Sequence, residues 1–123
     1  VTEVVPDFIH TVDTTAEAEP ADADAKRVLG GSGVARLWNA FSDPSGRFHA
    51  GHWQAEPGAL RVTYTETELC VLIEGRVRLT DAGGAAVEYG PGEAFVIAAG
   101  FEGVWESIGR VTKIYAILMP EEG

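Results

Sequence analysis

The sequence predicts a single all-β domain, an antiparallel sandwich or barrel. Short runs rich in Val, Ile, Leu, Tyr and Trp recur from Ala35 onward, as half-buried pleated surfaces favour. Clusters of Asp, Pro and Gly interrupt them at close intervals. The chain has 123 residues, 46% of them apolar, enough for one core. No apolar run approaches the ~20 residues of a membrane span.

Residues 1–33 read as an N-terminal arm and acidic linker, and 34–120 as the folded domain. In the arm, Val4, Val5, Phe8 and Ile9 offer an apolar face for the domain or for a partner subunit. TTAEAEPADADA at 14–25 has no apolar periodicity and reads as an exposed linker or one weak helical turn. Strands are then expected near 35–38, 48–54, 61–64, 68–74, 76–80, 86–89, 94–98, 103–107 and 112–118. DPSG at 43–46 and DAGG at 81–84 are turn signals, with Gly available for positive φ. The sequence has no internal repeat, so one barrel is expected.

The net charge of −10 argues against nucleic acid or an anionic membrane as partner, because both require a basic patch. Half of that charge lies in the first thirty residues, where Glu3, Asp7, Asp13, Glu17, Glu19, Asp22 and Asp24 face only Lys26 and Arg27. The opening VTEVVPDFIH has neither a basic head nor a small-residue cleavage site. The single cysteine, Cys70, excludes an internal disulfide. A cytoplasmic protein is expected on both grounds. GGSG at 30–33 is not followed by the helix that a phosphate-binding loop needs.

Alternation orients the strands. If Glu68 points inward, so do Cys70 and Leu72, while Leu69, Val71 and Ile73 form a second, equally apolar face. A strand that is apolar on both faces is covered on both. The cover is either the arm or a second subunit, and a homodimer is the expected partner arrangement. Gly103, Trp105 and Ser107 share a face of a later strand, where the indole would supply a flat surface for stacking.

Two motifs run through this region. Glu68 stands seven residues before Gly75 in ELCVLIEG, and Gly92 and Gly100 bracket EAFVIAA ahead of FEGVWES. Together with HWQAEPGALRVTY, LIEGRVRLTDAGG and the closing RVTKIYAIL, they resemble the small cupins of the Cupin_3 (DUF861) family. That family is related to the ethanolamine-utilisation protein EutQ and to ureidoglycine aminohydrolase. The resemblance covers roughly 26–118 and implies a jelly-roll β-barrel, often dimeric, without implying one reaction. Ala98 and Glu93 depart from its usual Pro and Asp. Where cupins place metal-binding histidines, this chain has Val62 and Tyr64 (or Arg61 and Thr63), then Gly103. Only the carboxylate Glu68 remains of the four usual ligands, so no metal and no other cofactor is expected.

Glu68 and Tyr64 are the candidate catalytic residues, as proton acceptor and phenolic donor. A strand-start carboxylate bound to Arg or backbone donors, and a Tyr that merely satisfies its hydroxyl, are the structural alternatives. Lys113 and Tyr115 share a face of the last strand. Inside a barrel Lys113 needs a partner, with Glu68 the obvious one, while on the other face it is a solvated surface residue. Cys70 beside Glu68 is a further pocket candidate, a nucleophile blunted by the neighbouring carboxylate, while a Cys in an apolar strand is more often a small core residue. Trp105 and Trp53 complete the ligand-binding set, and Trp38 and Trp53 suit core or pocket-wall roles equally. His10 lies in the arm, and His49 and His52, three apart in a strand, cannot share a metal. The leading functional expectation is a metal-independent pocket for a small polar metabolite, with isomerase, lyase or hydrolase chemistry. The alternatives are a ligand-sensing or accessory cupin without catalysis and a metalloenzyme with unrecognised ligands.

Overall fold

A computed structural model describes residues 4–121; Glu3 of the acidic arm lies outside them. All the strands belong to one nine-stranded antiparallel sheet. They are β1 (Glu19–Pro20), β2 (Val28–Gly31), β3 (Ala35–Ser42), β4 (Phe48–Ala55), β5 (Gly58–Thr63), β6 (Thr67–Asp81), β7 (Ala86–Tyr89), β8 (Ala94–Ile97) and β9 (Glu102–Leu118). A single 3-10 turn, Ala25–Arg27, precedes β2. Among the described residues no helix is long and apolar enough to cross a membrane.

The two long strands β6 and β9 pair along most of their length and form the spine. The C-terminal part of β9 also pairs with β4, which carries β3 and β1, and its N-terminal part pairs with β5, which carries β2. β8 extends the first half of β6 and β7 the second. The spine bends midway, so the two halves of the sheet curl into a jelly-roll barrel.

All nine expected strands are present, but four of them are halves of β6 and β9. Gly75 (φ 79) and Gly109 (φ 75) bend these strands without ending them. At Gly75 the ladder shifts register, and an added Cβ would lie 2.2 Å from the Arg110 carbonyl oxygen. A bulge with a left-handed glycine is how a strand turns a corner while keeping its partner. The two turn signals close as expected. Asp43 Oδ2 accepts from Ser45 N at 3.0 Å, and Asp81 Oδ1 accepts from Gly83 N and Ala85 N, both at 2.9 Å.

The acidic segment is not featureless. Glu19–Pro20 pairs with β3, and Ala21 and Ala23 donate to the carbonyls of Ala35 and Gly33, both at 2.8 Å. Backbone pairing on a sheet edge requires no apolar pattern, which is why the sequence does not announce it. The core inside the barrel centres on Cys70, Leu72, Val77 and Val111, all fully buried. Tyr89 stacks on Phe95 at 4.3 Å and Phe95 packs on Trp105 at 6.1 Å, so a line of aromatic rings leads to the Trp105 indole.

On the outer face, Leu69 and Ile73 are 42% and 46% exposed and Val71 is half-buried. The arm lies elsewhere: the His10 ring packs on Phe41 of β3 at 4.6 Å, and Val4 and Phe8 are almost fully exposed. Within one chain, then, the arm leaves both apolar stretches open.

Candidate functional site

Strand register brings the candidate residues together. Cys70 pairs with Tyr115, Leu72 with Lys113, and Lys113 on its other side with Trp53, so β4, β9 and β6 turn Trp53, Lys113, Tyr115 and Glu68 to the inside. β5 pairs Leu60 with Trp105 and Val62 with Gly103, which adds the indole of Trp105 to the same space. Tyr64 follows β5, held by bonds from its N–H to the Phe101 carbonyl (2.9 Å) and from Gly100 N–H to its own carbonyl (2.7 Å). The result is a cavity of about 190 Å³, lined by Trp53, Tyr64, Glu68, Trp105, Lys113 and Tyr115 among others.

A buried ion pair forms its polar wall. Lys113 Nζ donates to Glu68 Oε2 at 2.6 Å, and the two side chains are 8% and 5% exposed. The ammonium also lies 4.7 Å from the Trp53 ring centre and 4.5 Å from that of Trp105. The two indoles meet edge to face at 5.5 Å, and Trp105 Nε1 donates to Ser107 Oγ at 3.0 Å. Desolvation of two charges nearly cancels their attraction, so such a pair adds little net stability over apolar side chains of the same volume. What it adds here is fixed charge at a cavity wall. Of the two faces open to Lys113 in the sequence, the structure selects the inner one.

Burial first, and the Glu68 charge second, raise the pKa of the Tyr64 phenol far above its ordinary range, so it remains a proton donor. The same two causes in the same order push Tyr115 up to about 12. Its hydroxyl donates to Asn39 Oδ1 at 2.8 Å. Burial also pushes the Cys70 thiol up to about 12, with the Lys113 charge opposing and Glu68 reinforcing the rise. Cys70 is fully buried behind Glu68, to which its Sγ donates at 3.4 Å, and does not line the cavity. Its expected place among the ligand-binding residues is therefore corrected: it supports Glu68 from below and is a poor nucleophile at neutral pH.

The donor set does not fit a divalent metal. Among the described residues no three His, Cys, Asp or Glu side chains gather, and the one cavity carboxylate already holds an ammonium. At Gly103 an added Cβ would stand 2.0 Å from the Thr80 carbonyl oxygen. The histidines lie outside the cavity. His49 bonds Ser42 Oγ (2.8 Å) and the Gly46 carbonyl (3.0 Å). His52 packs on Trp38, buried, and neither of its ring nitrogens has a partner among the described residues. Trp38 thus belongs to that outer face and Trp53 to the pocket wall.

Several residues at the site escape a sequence reading, Leu60 and Ile117 of the cavity wall among them. Leu37 and Arg27 line the cavity, and Asn39 anchors Tyr115. Arg27 sits in the acidic segment, and its only local signal is Asp24, which caps the turn by accepting from Lys26 N at 3.0 Å.

A family model described as the EutQ-like cupin domain matches residues 42–115. Among solved structures, a DUF861-family protein of unknown function from Pseudomonas syringae pv. tomato superposes with a TM-score of 0.77 at 29% identity, over 86% of this chain. This chain spans only 46% of that protein's length. The EutQ protein of Clostridium difficile gives a TM-score of 0.66 at 18% identity, covering 95% of this chain and 90% of its own. Ectoine synthase from P. lautus gives 0.59 at 13%, covering 81% and 70%. At such identities the last two show a shared fold alone. No curated protein matches the sequence.

Proposed function

This chain belongs to the EutQ-like cupin family, and from that premise we propose that its barrel binds a small polar metabolite without a metal ion. The observation that carries the reading is the Lys113–Glu68 pair at 2.6 Å, set between two indoles on the wall of a cavity. An ammonium supplies the positive charge at the carboxylate where other cupins use a metal. The volume of about 190 Å³ holds a molecule the size of about six waters. The opposed roles of a carboxylate and a phenol held protonated support proton handling by Glu68 and Tyr64, in an isomerisation, elimination or hydrolysis. The same pocket without turnover would make a ligand sensor or accessory subunit. The one buried thiol fits a reducing, cytoplasmic setting.

Elemental analysis and a metabolite screen read by tryptophan fluorescence test this together. Purified protein is expected to carry far less than one equivalent of zinc, iron or manganese. Hits are expected to quench Trp53 and Trp105 and to bind more weakly to Tyr64→Phe. A stoichiometric metal lost on Glu68→Gln, or hits indifferent to Tyr64→Phe, would overturn the reading.

We propose further that the chain forms a homodimer covering the outer face of β6. Leu69 and Ile73, with Val96 beside Leu69 in the ladder, are exposed in the single chain, as are Val4 and Phe8 of the arm. Sedimentation at micromolar concentration should give a dimer, weakened by Leu69→Asp. An obligate interface buries about 2,000 Å² or more in total. A monomer across that range would sink the idea.

A further inference from the structure

We propose that the cavity takes a small monocarboxylate and that Arg27 holds its carboxylate at the mouth. The inference rests on the metabolite-binding reading above and narrows it to a class. Among the cavity-lining residues Arg27 and Leu37 are exposed, so they mark the open end, while Glu68 and Lys113 are buried at the inner wall. The inner pair is electrically self-compensated at 2.6 Å. Arg27 is the remaining charge on the lining, and it leaves the cavity with one net positive charge.

The guanidinium is positioned as well as charged. Arg27 ends the 3-10 turn, its N–H bonded to the Asp24 carbonyl at 2.8 Å, and its Nε donates to the Arg61 carbonyl at 3.0 Å. Arg47, Arg76, Arg78 and Arg110 each face a carboxylate, whereas Arg27, Arg36 and Arg61 meet none among the described residues, and of these three only Arg27 lines the cavity. Its two terminal nitrogens are left to present the planar fork that matches a carboxylate.

Charge disfavours the other ionic classes. A cationic ligand would meet Lys113, which already occupies the faces of Trp53 and Trp105. A dianionic phosphate ester would leave the cavity with one net negative charge. A single carboxylate balances the cavity, and its short carbon chain then lies along Leu37, Trp53 and Trp105, with any hydroxyl or carbonyl group facing Tyr64 and Glu68.

Tryptophan fluorescence titration at fixed ionic strength tests this with propionate, its isostere propionamide, and inorganic phosphate. The full chain is compared with Arg27→Gln and Arg27→Lys, whose unchanged melting temperatures establish folding at this exposed position. Propionate is expected to bind more tightly than propionamide or phosphate. Its Kd should rise about tenfold in Arg27→Gln, the effect of a lost charge-assisted contact, and much less in Arg27→Lys. If propionamide binds as well as propionate, or if Arg27→Gln leaves propionate unaffected, the carboxylate assignment falls while the polar-metabolite reading stands. Preference for phosphate overturns the monoanion argument. Failure of all three probes to bind at tens of millimolar removes the carboxylate proposal, and the metabolite reading falls too if the wider screen finds no cavity ligand.

Discussion

Lys113→Met is expected to destabilise the fold by about 3–5 kcal/mol. The substitution keeps length and apolar stem but removes the ammonium 2.6 Å from Glu68. Glu68, with a side chain 5% exposed, is left with only the neutral Cys70 thiol and Tyr64 phenol as side-chain donors among the described residues. A carboxylate held there without its counter-ion bears a desolvation penalty that neutral donors do not fully offset. Removing both charges removes the problem, so Glu68→Gln combined with Lys113→Met should lie much nearer the parent than Lys113→Met alone. A double-mutant cycle by urea denaturation should give a coupling of about 2 kcal/mol or more. Additive effects, each below about 1 kcal/mol, would mean that the pair is solvated and that the cavity wall is not closed.

That ion pair was within reach of the sequence because both partners lie on long strands with regular alternation. Glu68, Cys70 and Leu72 share the inner face, and Lys113 and Tyr115 share another, so only the choice of face for β9 was open. The Gly103–Trp105 alternation likewise turned the indole toward the same space. Strand limits were harder to read. Gly75 and Gly109 resemble turn residues, and only the pairing of β6 with β9 across the bend shows that the strands continue. β1 and β2, reading EP and VLGG, carry no period at all and exist because an edge was available to pair with. The same holds for the residues that the sequence did not flag. Arg27 reaches Arg61 across 34 residues, and Tyr115 reaches Asn39 across 76. No local pattern encodes a contact made by chain closure over such spans. Cys70 was assigned to the inner face correctly, but the inner face is deeper than the cavity, and depth is set by the neighbours Glu68 and Lys113.

Gly103→His is expected to lower stability by about 3 kcal/mol, at the upper end of overpacking costs, and to bring no metal into the barrel. The position is where other cupins carry a metal-binding histidine, so the substitution restores the missing ligand in name. The surroundings do not admit it. Gly103 is paired with Val62 on one side and Asp81 on the other, and an added Cβ would stand 2.0 Å from the Thr80 carbonyl oxygen and 3.0 Å from Asp81 Cα. Both contacts are with backbone, which cannot rotate away, so β6 and β9 must separate or the side chain must leave the pocket. Gly103→Ala should therefore cost nearly as much as Gly103→His, because the first carbon is what collides. Gly30 is the control: a Cβ there meets nothing within 4 Å, and Gly30→Ala should stay within about 0.5 kcal/mol of the parent. Urea denaturation of the three variants, with elemental analysis of Gly103→His after zinc loading, gives the answer. A Gly103→His protein that binds one equivalent of zinc and melts higher with it would show that an imidazole can reach Glu68, and the Lys113 ammonium would then lose its role as the built-in cation of this barrel.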